Sequence, residues 1–447
     1  MAYILGIDVG TTTIVGLFYN SVSREIIKLV EINHKGFVNT EDPLKSEIDP
    51  QTLLSQIDIL LKSFNNYQID GISITGQMHS FIVLDKEQKP VTNFITWMDK
   101  RALNKSYSGK TYLEEFLSLH DCKPRNSMIG YMSPNLYAMK KSGELPENAQ
   151  YFVTIHDFIS NALCGKSVID PSFAESTGFY ENITKKWNDN LITKCGFSSA
   201  QFSQIQNTSE LIGYYHNTPV FVGLGDNQAS VLGSIANIDE MALINIGTGG
   251  QVSLVLTNET ISPEIETRVF IGGKRLAVGV TLCSGKANEA MMKFIKKIGS
   301  VYFNVALEDK DIYALMENHN NVSTSLCCDP TFSGTRDNPD KSGSIYNINL
   351  SNFTIEDFLG ALSKGIIEEL HSLYKKINVD RNMLVASGGL VKKSINFQNI
   401  IKMVFGKELL LTVCNQEAAM GAVIAAAKGL NIISSFNDLS DIIKYWQ

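Results

Sequence analysis

The sequence predicts an α/β protein made of two similar halves, and three observations carry that reading. A short turn occurs twice. Near the start the chain reads Leu5-Gly6-Ile7-Asp8-Val9-Gly10-Thr11-Thr12-Thr13, and in the second half Leu243-Ile244-Asn245-Ile246-Gly247-Thr248-Gly249-Gly250-Gln251. The order of apolar strands and amphipathic helices that follows the first turn recurs after the second. The 447 residues also exceed one typical core, so two or three domains are expected.

The elements follow in order. Residues 3–9, 14–19 and 25–33 read as strands of a meander, broken by the Gly10-Thr11 and Asn20-Ser21 turns. From Pro50 to Phe64 the apolar residues Leu53, Leu54, Ile57, Leu60, Leu61 and Phe64 fall on one helical side. Strands are expected at 69–75 and 81–85, an elaboration of helices and loops over 90–215, a strand at 220–223 and a helix over 229–238. The second half gives strands at 242–246, 251–256, 268–271, 276–280, 383–386 and 408–413. Helices are expected at 286–298, 354–377, 392–404 and 417–429. No Pro-, Ser- or charge-rich linker separates the halves, and the boundary is expected near 235–242.

Composition is that of a soluble protein, 44% hydrophobic and 19% charged. A net charge of −7 gives no electrostatic reason to expect nucleic acid or an anionic membrane surface. The seven cysteines are odd in number and form no Cys-x-x-Cys, which points to a reducing compartment without a zinc site. The chain opens without a basic region followed by an apolar core, so no signal peptide is expected. The longest helix-like apolar stretch, Ala418 to Ala427, is about half the ~20 residues that span a bilayer. These features suggest a cytoplasmic protein.

The repeated turn points to phosphate. Glycine lets the backbone approach an anion, and threonine hydroxyls and turn amides supply hydrogen bonds. One copy alone reads as an ordinary hairpin; two suggest two jaws on one polyphosphate. Asp8 in the first copy could hold a divalent metal; Asn245 in the second cannot carry that charge. Asp226 ends the strand Phe221 to Gly225 and opens a helix, where carboxylates line ligand crevices. It is either a plain N-cap or a general base for a hydroxyl. Gln77 and His79, in Thr75-Gly76-Gln77-Met78-His79-Ser80, suit a polyhydroxy ligand or merely shape a turn. Trp97 and Asp99 offer a flat face for sugar C–H groups and a grip on paired hydroxyls, or else a buried Trp with a surface ion pair. Ser387-Gly388-Gly389-Leu390 could admit a flat base, and Glu417 opens a small-residue helix. His34, His120, His216, His319 and His371 show no ligand spacing.

Taken in order, these motifs resemble the FGGY carbohydrate kinases, relatives of hexokinase and actin. The resemblance rests on Gly6 to Thr12, Gly76 to His79, Thr96 to Arg101, Gly225 to Ala229, Asn245 to Gly250, Ser387 to Gly389 and Glu417 to Ala422, and it runs from about Leu5 to about Leu430. It implies two ribonuclease-H-like domains of the actin/hexokinase type with an interdomain cleft. A sugar-binding domain over 1–238 and a nucleotide-binding domain over 239–447 are expected. Within the family, Ile155-His156-Asp157-Phe158, Leu163-Cys164-Gly165, Ser176 to Tyr180, Gly225 to Ser230, Asp329 to Arg336 and Gly365 to Ser372 are most similar to sedoheptulokinases. Ser80 after Gln-Met-His, Asn227 after Asp226 and Gly249-Gly250 in the second turn depart from the common pattern, and Asn227 is closer to xylulokinases.

The resemblance implies ATP-dependent phosphorylation of the terminal hydroxyl of a ketose, with sedoheptulose expected to become sedoheptulose 7-phosphate. A xylulokinase or other ketose or polyol kinase is the alternative, and an actin-like nucleotide-binding scaffold the alternative of another class. Asp226 would be the general base. Gln77, Met78, His79, Trp97, Asp99, Asp226 and Asn227 would bind the sugar. Gly10, Thr11, Thr12, Thr13, Gly247, Thr248, Gly249 and Gly250 would hold the ATP phosphates. Asp8 would act through Mg²⁺, and Ser387, Gly388, Gly389, Leu390 and Glu417 would lie near adenine. The implied partner is a small sugar, with no nucleic acid or membrane, and the protein is expected as a monomer or homodimer.

Overall fold

A computed structural model describes residues 2–121, 128–262, 265–318, 324–335, 338 and 340–446. Cys122, His319 and Arg336 fall outside them. The chain divides into two compact units. The first is Met1–Gly233 with Arg268–Arg275 and Gln416–Ile442; the second is Ser234–Thr267, Leu276–Asn415 and Ile443–Gln447. These units differ from the contiguous halves 1–238 and 239–447 in three segments: 234–238 belongs to the second unit, and 268–275 and 416–442 to the first. A hairpin tip, 268–275, and the C-terminal helical segment pack with the first unit. That helix, Glu417–Gly429, lies on the strands Tyr3–Val9 and Gly71–Gly76, because its Ala- and Gly-rich face permits close approach to a sheet.

The large sheet of the first unit contains β1 (Tyr3–Val9), β2 (Thr13–Asn20), β3 (Glu25–Asn33), β4 (Gly71–Gly76), β5 (Leu211–Tyr215) and β6 (Thr218–Phe221), in the spatial order β5-β6-β4-β1-β2-β3. β1, β4 and β6 run parallel, while β2 and β3 form the antiparallel meander. β1 is central, and its Ile4, Leu5, Ile7 and Val9 are fully buried, as expected for a strand covered on both faces. Helix Pro50–Lys62 begins where Asp49 Oδ2 accepts from Thr52 N at 2.8 Å and Pro50 supplies the first turn. It buries Leu53, Ile57, Leu60 and Leu61.

The second unit's sheet contains β7 (Met241–Ile246), β8 (Gly250–Leu256), β9 (Glu266–Val269), β10 (Arg275–Thr281), β11 (Met383–Ser387), β12 (Glu408–Thr412) and β13 (Tyr445–Trp446), ordered β9-β10-β8-β7-β11-β12-β13. The five-strand order β6-β4-β1-β2-β3 of the first unit thus recurs as β12-β11-β7-β8-β10 in the second. This is the duplicated ribonuclease-H-like architecture that the resemblance implied. Helix Ile355–Ile377 covers the second sheet, capped by Thr354 and ended by Asn378 in the left-handed region.

Two expected elements shift. The helix expected over 229–238 spans Asp226–Leu232 and stops at Gly233, so Asp226 occupies its first turn. Within the 90–215 elaboration, helix Ile155–Cys164 packs on β4 and β5 and belongs to the core.

Candidate active site

Three parallel strands of the first unit end together. The pairing sets Asp8 opposite Thr75 and Val9 opposite Gly76, and a further bridge joins Gly76 to Gly225. Gln77 N donates to Val9 O at 3.0 Å. Asp8, Gln77 and Asp226 therefore gather at the carboxyl ends of β1, β4 and β6, where open α/β sheets bind ligands. A Cβ on Gly225 would lie 2.6 Å from Met78 Sδ, so glycine lets the segment that carries Asp226 lie against the Gln77-Met78-His79 turn without displacing the Met78 side chain.

The side chains at this edge are poised rather than satisfied. Asp8 is half-buried, its Oδ1 is sealed from solvent, and that oxygen has no hydrogen-bond partner among the described residues. Desolvation, reinforced by the nearby Asp226 carboxylate, pushes the Asp8 carboxyl up to about 7. Desolvation likewise raises Asp226 to about 6, opposed by the amide of Asn227 and the charge of Arg268. A carboxylate in that range is matched to proton transfer near neutral pH. Gln77 is buried, and neither its Oε1 nor its Nε2 has a partner among the described residues. Leaving a buried amide unpaired costs about 1–3 kcal/mol, a cost a ligand would relieve.

The remaining candidates fall into place unevenly. His79 has φ 68°, its Nδ1 lies 2.8 Å from Ser176 O, and its ring packs on Tyr131 with centroids 4.0 Å apart. Trp97 is exposed, and its indole N–H donates to Thr11 Oγ1 at 2.9 Å, tying a sugar candidate to the first turn. Gly10 N donates to Thr13 O, closing that turn, and Thr12 is exposed. Asn227 Oδ1 accepts from Arg268 Nη1 at 2.8 Å.

Asp99 is a correction. It is fully buried and binds Arg101 through both oxygens, Nε to Oδ1 and Nη2 to Oδ2 at 2.8 Å each, while Oδ2 also accepts Ser46 N. Its carboxylate fastens Arg101, and through Arg101 Glu47, instead of facing a sugar. The alternative, a buried Trp with a surface ion pair, does not form either: the ion pair is buried and Trp97 is exposed.

In the second unit, Gly247 N donates to Gly249 O, and Gly247 and Thr248 are exposed. Asn245 stands opposite Ser387 as Asp8 stands opposite Thr75. Ser387 Oγ is buried without a partner among the described residues, and Gly389 is exposed at the start of helix Gly389–Lys393. Glu417 belongs to the first unit, whereas Ser387 to Leu390 belong to the second.

Sequence reasoning missed the residues that hold the segment carrying Asp226. Gly223 N donates to His156 Nε2 at 3.0 Å, Thr75 Oγ1 donates to Leu224 O at 2.6 Å, and Gly225 N donates to Ser172 Oγ at 2.9 Å. His156 Nε2 accepts, so Nδ1 carries the proton toward Val168 O, and burial lowers its pKa to about 4. Ile155-His156-Asp157 stood out in the sequence without a role; Arg268 gave no signal.

With this geometry in view, the profile of the FGGY family of carbohydrate kinases, N-terminal domain, matches residues 3–233. The chain belongs to the FGGY family of carbohydrate kinases. Members are phosphotransferases that act on sugar hydroxyls, and this kinase is an enzyme of that kind. It is 26% identical to the xylulose kinase of Staphylococcus xylosus, over 99% of this chain and 94% of that one. It is 23% identical to the sedoheptulokinase of Mus musculus, over 98% of each. The structure of ligand-bound xylulose kinase from Lactobacillus acidophilus superposes with a TM-score of 0.85 at 20% identity, covering 100% of this chain and 93% of that one. The leaning toward sedoheptulokinases drawn from short motifs is not matched by whole-chain identity, which is higher for the xylulose kinase.

Proposed function

We propose that this kinase transfers the terminal phosphoryl group of ATP to the end hydroxyl of a ketose, with Asp226 as the general base. The observation that carries the reading is the convergence of Asp8, Gln77 and Asp226 at one sheet edge. Asp226 accepts the hydroxyl proton, and the unpaired Gln77 amide orients the sugar. Within the first unit, exposed Thr12 offers its amide and hydroxyl to phosphate oxygens; within the second, exposed Thr248 offers the same groups.

The residues present fit a magnesium ion. Asp8 keeps a sealed, unpartnered oxygen, and Mg²⁺ takes one or two carboxylates with water and phosphate oxygens. Among the described residues no group of three His, Cys, Asp or Glu side chains gathers for a metal, so a protein-only cage is not what this site supplies. When bound, the ion neutralises phosphate charge.

Xylulose is the favoured ketose, supported by the 26% identity and by Asn227 following Asp226. Sedoheptulose is the second reading, supported by the motifs around Ile155 and Ser176. No described helix is long and apolar enough to cross a membrane, and six described cysteines are free, which suits action in the cytoplasm. A coupled ADP-release assay with Mg-ATP on xylulose, sedoheptulose, ribulose, gluconate and glycerol tests the reading. Turnover on a ketose is expected; turnover on gluconate or glycerol alone, or on none, overturns the ketose assignment.

A further inference from the structure

A cavity of about 380 Å³ opens within the first unit, on the hairpin tip 268–275. Its polar lining includes Asn182, Lys185, Asn207, Thr208 and Lys274, and its apolar lining Pro171, Phe270, Ile271 and Phe436. Lys185 and Lys274 form no ion pair among the described residues. Lys185 Nζ sits 3.4 Å from where a Cβ on Gly273 would be, which brings the ammonium over the tip. Gly272 and Gly273 have φ 65° and 76°, so the tip takes a left-handed course that leaves its surface bare of side chains.

Two hydrogen-bonded routes run from this cavity to the segment that carries Asp226. Asp170 lines the cavity; its Oδ1 accepts from Ser172 Oγ at 2.7 Å, and Ser172 Oγ accepts from Gly225 N at 2.9 Å. Asp170 Oδ2 accepts from Thr208 Oγ1 at 3.1 Å, so both of its oxygens are engaged. On the other side Val269 O accepts from Gln228 Nε2 at 2.9 Å, and Arg268, the preceding residue, holds Asn227. Arg275, at the far end of the tip, is fixed by Glu175 at 3.0 Å and Asn182 at 2.8 Å. A ligand that moves the tip or Thr208 acts on residues 225, 227 and 228, one or two positions from the base.

We propose that this cavity is a second, regulatory binding site for a small phosphate monoester with a hydroxylated body. Two unpaired ammonium groups suit a compact dianion, the Asn207 amide and Thr208 Oγ1, which can still accept while it donates to Asp170, suit hydroxyls, and the apolar wall suits a carbon skeleton. The site is separate from the sugar and phosphate residues named above, and its occupancy does not depend on which sugar is phosphorylated.

The test is calorimetric titration of ribose 5-phosphate and, separately, inorganic phosphate into the whole protein, with and without saturating acceptor ketose. Both lysines are surface residues, so Lys185→Ala/Lys274→Ala is expected to fold, checked by an unchanged thermal transition. Ribose 5-phosphate is expected to bind one site whether or not ketose is present, at least tenfold more weakly in the double variant. It is also expected to change kcat or KM at least twofold in the wild type and not in the double variant. Tighter binding of ribose 5-phosphate than of inorganic phosphate supports a sugar-phosphate ligand; equal binding restricts the site to free phosphate and overturns the hydroxylated body. No binding, competition by ketose, or equal binding to the double variant overturns the site. Binding is read without turnover, so a chain that phosphorylates no ketose would still decide it.

Discussion

Between the paired positions Val9 and Ile14 of β1 and β2 the chain spends four residues, Gly10 to Thr13, and between the paired positions Ile246 and Gly250 of β7 and β8 three, Gly247 to Gly249. The strand order around the two turns is the same, and the next-to-last residue of the strand before each turn occupies the same register place, Asp8 opposite Thr75 and Asn245 opposite Ser387. Charge separates them. The first edge gathers Asp8 and Asp226, two carboxylates whose pKa values are raised to about 7 and about 6. The second ends in Asn245, Ser387 and, after β12, Val413, Cys414 and Asn415, all uncharged. One backbone plan thus carries two carboxylates at one edge and only uncharged side chains at the other. If the second edge faces polyphosphate as proposed, a second acid there would repel it, which gives the asymmetry an electrostatic reason.

The comparison breaks most sharply at Asp226. Asp226→Asn is expected to lower kcat by about 10²–10⁴-fold with little change in KM for ATP, read by steady-state kinetics. Near-normal turnover would remove Asp226 as base. Asp8→Asn makes the first turn like the second and is expected to lower kcat by about 10²-fold. An effect on sugar KM alone would move Asp8 out of the phosphoryl-transfer machinery.

The pH profile sharpens the same point. A base must be ionised to act, so activity is expected to rise with pH through an apparent pKa near 6 and to plateau above it. The two acids interact, so the observed limb belongs to the pair. In Asp226→Asn the limb near 6 is expected to vanish; its persistence would assign it elsewhere.

The reverse exchange, Asn245→Asp, is expected to raise KM for ATP about tenfold through like-charge repulsion while leaving sugar KM unchanged. The smallest effects concern the facing hydroxyls. Thr75→Val leaves Leu224 O without its donor and is expected to cost about 1–3 kcal/mol in urea unfolding. Ser387→Ala removes a hydroxyl that has no partner among the described residues and is expected to change stability by less than about 0.5 kcal/mol. Equal losses would mean the two register places are not distinguished by hydrogen bonding.

Much of this was legible before the structure. Strand and helix spacing located β1 to β4 and the helices starting at Pro50 and Glu417, because burial on both faces of a central strand and on one face of a helix imposes a readable period. That Asp8, Gln77 and Asp226 stand at strand ends was legible because each sits at or just past the end of an apolar strand. Asp99 was misread because sequence spacing does not tell whether a carboxylate faces a ligand or an arginine two residues on. The helix Glu417–Gly429 was assigned by chain order to the second half, yet it packs on the first unit's sheet, since helix docking follows surface fit and not sequence proximity.

By itself the sequence determined the duplication, the two turns and which residue types stand at the strand ends, since these depend on local periodicity and on glycine and threonine chemistry. Only the tertiary structure decided which of them meet. Hydrogen bonds between residues 67 to 149 positions apart, from His156 to Gly223 and from Thr75 to Leu224, aim Asp226. The hairpin at 268–275 joins that segment through Arg268 and Val269, a contact set by how the chain returns to its first unit and by no local preference.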